Sequence, residues 1–217
     1  MAKVKKYKDY YDIYDEIVLK MLPFYPEMHQ EMVRLINYSP EDKIEVLEPG
    51  FGTGSLTYLI LKKFPRAKVL GIDNNSENVS KAKTKLKDFS GFTYKLGSFQ
   101  NVGLDQKYDI VLSALAIHHL SDKEKLQYFS DIFQILKPGG RFIIGDIVKS
   151  EDEQEWHSYL VKTMGNEGEH RWQRHKNNPD DKPSTIDAQI KWLKKAGFTK
   201  VEATKKWFNF YVFHGEK

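Results

Sequence analysis

Between residues 43 and 64 the chain passes from a short aliphatic run, through Glu48-Pro49-Gly50-Phe51-Gly52-Thr53-Gly54, into a segment with Leu56, Leu59, Ile60 and Phe64 at helical spacing, stopped by Pro65. Glycines at alternate positions let the backbone turn tightly and admit a ligand where a Cβ would clash. The amides of the turn then face the N-terminus of the next helix, which favours negative charge. A plain strand-to-helix turn uses the same residues. The turn alone therefore fixes a strand–helix unit and leaves its purpose open.

The unit repeats. Residues 68–73 read as a second strand and 76–86 as a helix with Ser76 as its N-cap. Residues 92–96 and 108–113 read as third and fourth strands. Ser121-Asp122-Lys123-Glu124 has capping-box spacing and opens a helix that ends at Leu136, before Lys137-Pro138-Gly139-Gly140. The continuous apolar strand 141–148 suits a position covered by helices on both faces. Strands alternating with helices predict a parallel sheet with right-handed crossovers.

The last third breaks the rhythm. Residues 149–183 are polar, carry Trp156, Trp172 and three histidines, and read as an inserted cap. Residues 185–196 predict a helix closed by Gly197, and 201–206 with 209–215 predict an antiparallel pair. Near the start, Tyr7, Tyr10, Tyr14, Ile17, Val18 and Met21 share one helical stripe. The expected organisation is one domain over residues 1–217. It comprises an N-terminal helical lid (1–38), a ligand-binding core (39–148), the cap (149–184), and a final helix with hairpin (185–217).

Charge narrows the partners. The 34 basic and 30 acidic side chains are interspersed, and the lysine-rich patches at 81–87 and 191–195 fall at helical spacing, which suits a solvated face better than nucleic acid. No apolar run approaches the ~18 residues of a membrane span, and the lysines near the N-terminus have no apolar stretch behind them, so a cytoplasmic chain is expected. The chain has no cysteine, which removes disulfides, thiolate metal sites and cysteine nucleophiles together. A homodimer is left open.

Asp73 ends the second strand, where an acid can accept both ribose hydroxyls of a nucleoside or cap the helix that follows. Leu96-Gly97-Ser98-Phe99, then Tyr108-Asp109-Ile110-Val111-Leu112-Ser113, then Lys137-Pro138-Gly139-Gly140 mark later strand ends and turns, the edge at which open α/β sheets bind ligands. With this ordered set the sequence resembles the class I S-adenosylmethionine-dependent methyltransferases over nearly its full length. The resemblance implies an α/β fold, a Rossmann-like doubly wound seven-stranded sheet of order 3-2-1-4-5-7-6. Its last strand is antiparallel, helices cover both faces, and a small helical cap is added. It implies S-adenosylmethionine as cofactor and S-adenosylhomocysteine as product. It places Glu48, Gly50 and Gly52 around the methionine moiety, Asp73 on the ribose, and Ser98 and Phe99 beside the adenine, with Ser113 bordering the methionine end; Gly54, Asn74 and Tyr25 are further cofactor-binding candidates. Many members carry Asp where Ser98 stands, and a hydroxyl makes a weaker, uncharged bond. An NAD-dependent dehydrogenase would want a third glycine at the position of Ser55. A non-catalytic S-adenosylmethionine-binding module is the reading from another class.

The acceptor side rests on fewer residues. In Ala116-Ile117-His118-His119-Leu120, His118 is the candidate catalytic base, or else it orients substrate or caps the next helix. Methyl transfer is an in-line displacement, and alignment within ~3–3.5 Å supplies much of the rate without a base. Tyr14, Tyr25, Trp172 and Arg174 are expected to line a pocket for a small-molecule acceptor, under a lid formed by the cap and the N-terminal segment. His157, His170 and His175 are irregularly spaced and lack a carboxylate-histidine motif, so no metal site is expected there. Leu22-Pro23-Phe24-Tyr25, Arg174 and Trp207-Phe208-Asn209-Phe210 also resemble stretches of the carboxy-S-adenosylmethionine synthases. Those enzymes convert prephenate and S-adenosylmethionine into a carboxylated cofactor for tRNA wobble-uridine modification, and in them an arginine at the cap position reads the extra carboxylate.

Overall fold

Seven strands form one mixed sheet in the order β3-β2-β1-β4-β5-β7-β6, as the sequence pattern and resemblance led us to expect. The computed structural model describes residues 18–103 and 105–217; the stripe expected over residues 7–17, Tyr14 included, lies outside them. The strands are β1 (Glu45–Pro49), β2 (Lys68–Asp73), β3 (Phe92–Leu96), β4 (Tyr108–Ala114), β5 (Leu136–Ile147), β6 (Thr199–Trp207) and β7 (Phe210–Glu216). The helices are α1 (Tyr25–Arg34), α2 (Ser55–Lys63), α3 (Ser76–Lys85), α4 (Asp122–Ile135), α5 (Glu153–Met164), α6 (Asn166–Lys176) and α7 (Ile186–Ala196), with a 3-10 turn at Ile117–His119. Strands β1 to β5 pair in parallel, and β7 runs antiparallel between β5 and β6.

Because strand side chains alternate, the central strands serve two cores. Val46, Ile110, Leu112 and Ile143 face Met28 and Met32 of α1, Leu56 and Ile60 of α2, and Trp156, Leu160 and Trp172 of α5 and α6. Leu47, Val111, Phe142 and Ile144 face Phe129 and Ile132 of α4 and Leu193 of α7. At ~25 cal/mol per Å² of apolar area, these two layers are the main favourable term in folding. The helix face and the strand pleat in the sequence thus agree on one arrangement.

Local differences from the sequence reading have physical reasons. The N-cap of α3 is Asn75, not Ser76: the Asn75 carboxamide oxygen accepts from the amides of Glu77 (2.9 Å) and Asn78 (3.2 Å). The capping box at Ser121 and Glu124 is present, and Thr185 caps α7 through the amide of Ala188. Strand β5 starts at Leu136 rather than Arg141. Its Lys-Pro-Gly-Gly stretch is drawn into the sheet by the chain end, where Gly139 N–H donates to Lys217 O and Lys217 N–H to Gly140 O. The cap consists of two helices packed on the α1 face. At the outer edge, β6 leaves Lys200, Lys205 and Lys206 exposed, and its pairing with β7 shifts register twice, between Thr199 and Glu202 and between Ala203 and Lys205. Among the described residues no helix is long and apolar enough to cross a membrane.

Candidate active site

The C-terminal ends of β1, β2 and β4 open onto a cleft of about 540 Å³, within the usual range for small-molecule sites. Its floor is the glycine turn. Gly50 and Gly52 have φ of +74° and +55°, a left-handed conformation that costs an L-residue ~1–2 kcal/mol. A Cβ on Gly50 would stand 2.6 Å from the Ala116 Cβ, whereas one on Gly52 would meet nothing within 4 Å. Gly50 therefore lets two strand ends approach, and Gly52 leaves its backbone bare toward the cleft. Gly54 begins α2 behind this surface and does not line it.

Asp73 ties the floor to the wall. Its Oδ2 accepts from the Gly52 amide at 2.9 Å and its Oδ1 from the Asn75 amide at 2.8 Å. The carboxylate braces the entry to α3 and also lines the cleft beside Asn74. Each oxygen keeps a further lone pair for a ligand hydroxyl. Phe99 lines the cleft too. Ser98 does not; its hydroxyl pairs locally with Gln100. Ser113 is fully buried and donates to Pro49 O at 2.9 Å, so it clips β4 to the end of β1 beneath the cleft.

Two buried titratable groups occupy the inner wall. Burial raises the Glu48 carboxyl pKa to about 8, against the Thr57 hydroxyl that donates to it at 2.5 Å and with the help of nearby Asp73. Burial, aided by the charge of Lys85, lowers the His29 pKa to about 3, and its ring lies 4.1 Å from the Tyr25 ring. Burial thus favours the neutral form of both groups. Tyr25 and His29 stand one helical turn apart, a spacing the sequence reading did not exploit.

On the acceptor side the structure differs from several expectations. His119, not His118, lines the cleft, together with Leu115, Ala116 and Asp180. His118 turns away: its Nδ1 lies 2.6 Å from Asp146 Oδ1, and its amide donates to Asp146 Oδ2 at 2.9 Å. Burial opposes charge on His118, yet Asp146, with Asp181 behind it, raises its pKa above the ordinary imidazole value. Trp172 is a core residue, 4% exposed and edge-on to Trp156, rather than a pocket wall, because its helix turns that face onto the sheet layer. Arg174, two positions on, is exposed on the far side of α6 and does not line the cleft.

The return from the cap is stitched to the core. Lys182 N–H donates to His118 O at 2.7 Å. The buried Lys125 ammonium donates to Lys182 O and, at 2.6 Å, to Ser184 Oγ. These bonds bring Asp180 and Asp181 up to the 118–119 turn, a meeting across some sixty residues that no local motif announces.

The comparisons with known proteins agree with this architecture. A family model described as a methyltransferase domain matches residues 40–205. An uncharacterized methyltransferase of Bacillus cytotoxicus is 34% identical over 126 residues, covering 58% of this chain and 57% of that protein. A carboxy-S-adenosyl-L-methionine synthase of Campylobacter lari is 23% identical over 212 residues, covering 93% of this chain and 89% of the other. Among solved structures, a putative O-methyltransferase of Nostoc punctiforme superposes with a TM-score of 0.67 at 19% identity, covering 91% of this chain and 58% of that one, a likeness of fold. With the family model spanning most of the glycine turn, sheet and cap described above, the chain belongs to the methyltransferase domain family, the class I S-adenosylmethionine-dependent methyltransferases.

Proposed function

We propose that this cleft binds S-adenosylmethionine and that the chain directs its methyl group to a small-molecule acceptor entering past Tyr25, Leu115 and His119. The observation that carries the reading is Asp73, a buried carboxylate at the end of β2 that braces the bare Gly52 backbone while facing the same cleft. Asp73 and Asn74 would hold the ribose hydroxyls, Phe99 would lie against the adenine, and Glu48 with Gly50 and Gly52 would surround the methionine end. When bound, S-adenosylmethionine supplies a methyl group already activated on a sulfonium. The residues then have chiefly to align an acceptor and keep water out. Tyr25 and Leu115 offer apolar walls for that task, and His119 offers a polar group at the mouth.

Calorimetry is the direct test. S-adenosylmethionine should bind with micromolar affinity and NAD not detectably. Asp73→Ala should weaken S-adenosylmethionine by about tenfold or more, as hydrogen bonds to a charged group are worth ~1.5–3 kcal/mol. Tight NAD binding with no heat from S-adenosylmethionine would end this reading.

The full-length match to carboxy-S-adenosyl-L-methionine synthases supports a second reading, in which the bound species carries an additional carboxylate. The exposed position of Arg174 favours the first.

A further inference from the structure

His118 and His119 in the 3-10 turn and Asp181 in the return from the cap place three donor atoms within 4.8 Å of one another. Asp181 Oδ1 lies 3.3 Å from His119 Nδ1 and 3.7 Å from His118 Nε2. The second distance is too long for a hydrogen bond and the first is long for a charged one. Two ligands bound tetrahedrally to one ion at ~2.0–2.1 Å stand about 3.3 Å apart. The spacing is therefore poor for direct pairing and close to that of a shared ion.

The outer atoms of His118 and Asp181 are held as metal ligands are held, while His119 Nδ1 also lies 3.3 Å from Asp180 O. His118 Nδ1 faces Asp146 Oδ1 at 2.6 Å, and the Asp146 carboxylate is itself fixed by the amides of His118 (2.9 Å) and Ile147 (2.8 Å). A proton on Nδ1 in that bond leaves the Nε2 lone pair directed toward Asp181. Asp181 Oδ2 lies 2.8 Å from His175 Nδ1 and Oδ1 accepts from Asn178 Nδ2 at 2.9 Å, so both partners fix the carboxylate beside the two rings and Oδ1 keeps one further lone pair. A carboxylate behind a histidine, and a hydrogen-bond partner behind a carboxylate, are the arrangements that orient first ligands and raise their basicity. His119 and Asp180, next to Asp181, line the cleft, so the group stands at its rim with His118 and Asp181 behind.

We propose that His118, His119 and Asp181 bind a divalent first-row transition-metal ion at the mouth of the cleft, with a coordination position left for an oxygen or nitrogen donor from solvent or acceptor. Two imidazoles and one carboxylate suit zinc, iron(II), cobalt or manganese; magnesium and calcium prefer all-oxygen sets. The site stands on its own geometry and does not depend on which cofactor fills the neighbouring cleft.

Cobalt(II) is the probe, titrated without cofactor into tag-free protein and followed by its visible d–d absorption and by equilibrium dialysis. The expected result is one equivalent taken up per chain at micromolar concentration, with zinc displacing it. His119→Ala, at a side chain 44% exposed and so tolerant of change, should weaken uptake at least about tenfold, as should Asp181→Asn. Asp146→Asn should cost about 10–100-fold through the loss of histidine orientation. His170→Ala, at an exposed helix position, should change nothing. Thermal melts of each variant show whether it is folded. No uptake by the wild type below about a millimolar, uptake indifferent to His119→Ala, or uptake lost with His170→Ala would each overturn the site and leave Asp181 as an ion-pair partner of three histidines.

Discussion

The two sides of the cleft are built by different means. The proposed cofactor side is assembled from residues close together at strand ends: Glu48, Gly50 and Gly52 at and just after the end of β1, and Asp73 with Asn74 at the end of β2. The proposed acceptor side is assembled from distant pieces, the 118–119 turn meeting the 180–181 loop that Lys125, the His118 carbonyl and the Ser184–Asp122 bond hold in place. A site made at strand ends inherits its geometry from the sheet, which is over-determined by two cores. A site made by a returning loop depends on side-chain hydrogen bonds, each worth only ~0.5–1.5 kcal/mol net.

The comparison assigns Trp172 to the scaffold beneath the cap and not to the cleft, and the largest expected effect tests that assignment. Trp172→Ala should destabilise the fold by ~3–5 kcal/mol, the range for losing a buried tryptophan, while the folded fraction keeps its S-adenosylmethionine affinity. Denaturant unfolding and calorimetry on the same sample read the two quantities. A folded, stable variant with impaired binding would move the cap into the cofactor site.

Next in size is the buried carboxyl beside the glycine turn. Between pH 4.5 and about 8 the folded chain holds a proton on Glu48 that the unfolded chain has released. The contribution of Glu48 to stability is therefore complete below pH 4.5 and is lost as pH rises through 8. Glu48→Gln keeps an acceptor for Thr57 and removes this dependence. It should gain on the wild type by a few kcal/mol by pH 8, at about 1.4 kcal/mol per unit. His29 acts on the other flank. Below pH 6.5 the unfolded chain gains a proton that the folded chain refuses down to about 3, so stability falls on acidification. Parallel stability–pH curves for wild type and Glu48→Gln would show that Glu48 is solvated.

The smallest expected effect is on the acceptor side. Arg174→Ala should change stability by less than ~0.5 kcal/mol. It should leave equal affinities for S-adenosylmethionine and for its carboxylated analogue, measured on wild type and variant. A selective loss for the analogue would turn the choice toward the synthase reading.

Legibility followed the same division. The glycine turn after Glu48 and the acid Asp73 could be picked out because hydrophobic period and turn chemistry fix those strand ends. Asn74 and Phe99 came with the family resemblance, and the structure brings Glu48, Gly50, Gly52, Asp73, Asn74 and Phe99 to one cleft. Ser98 and Ser113 occupy the right strand ends but spend their hydroxyls on Gln100 and Pro49, a choice of rotamer and partner that spacing does not encode. His118 and His119 were visible as a pair, yet which ring faces the cleft depends on Asp146, twenty-eight residues away. The spacing of His157, His170 and His175 said nothing of Asp181, around which the 118–119 pair and His175 gather. In the cap, Trp172 and Arg174 are only two residues apart on one helix, which puts them on different faces; polarity alone did not say which face looks inward.

The β6 edge carries a consequence for how copies of this chain meet. A free strand edge is a template for a neighbour's backbone, and sheets without protection there stack into polymers. Here Lys200, Lys205 and Lys206 stand exposed along the edge, Lys200 paired with Glu216 and Lys206 with Asp152, and the two register shifts bend the ladder away from the flat geometry another strand would need. Self-association of the folded chain must find some other face, and concentration by itself gives this rim no route to growing fibres.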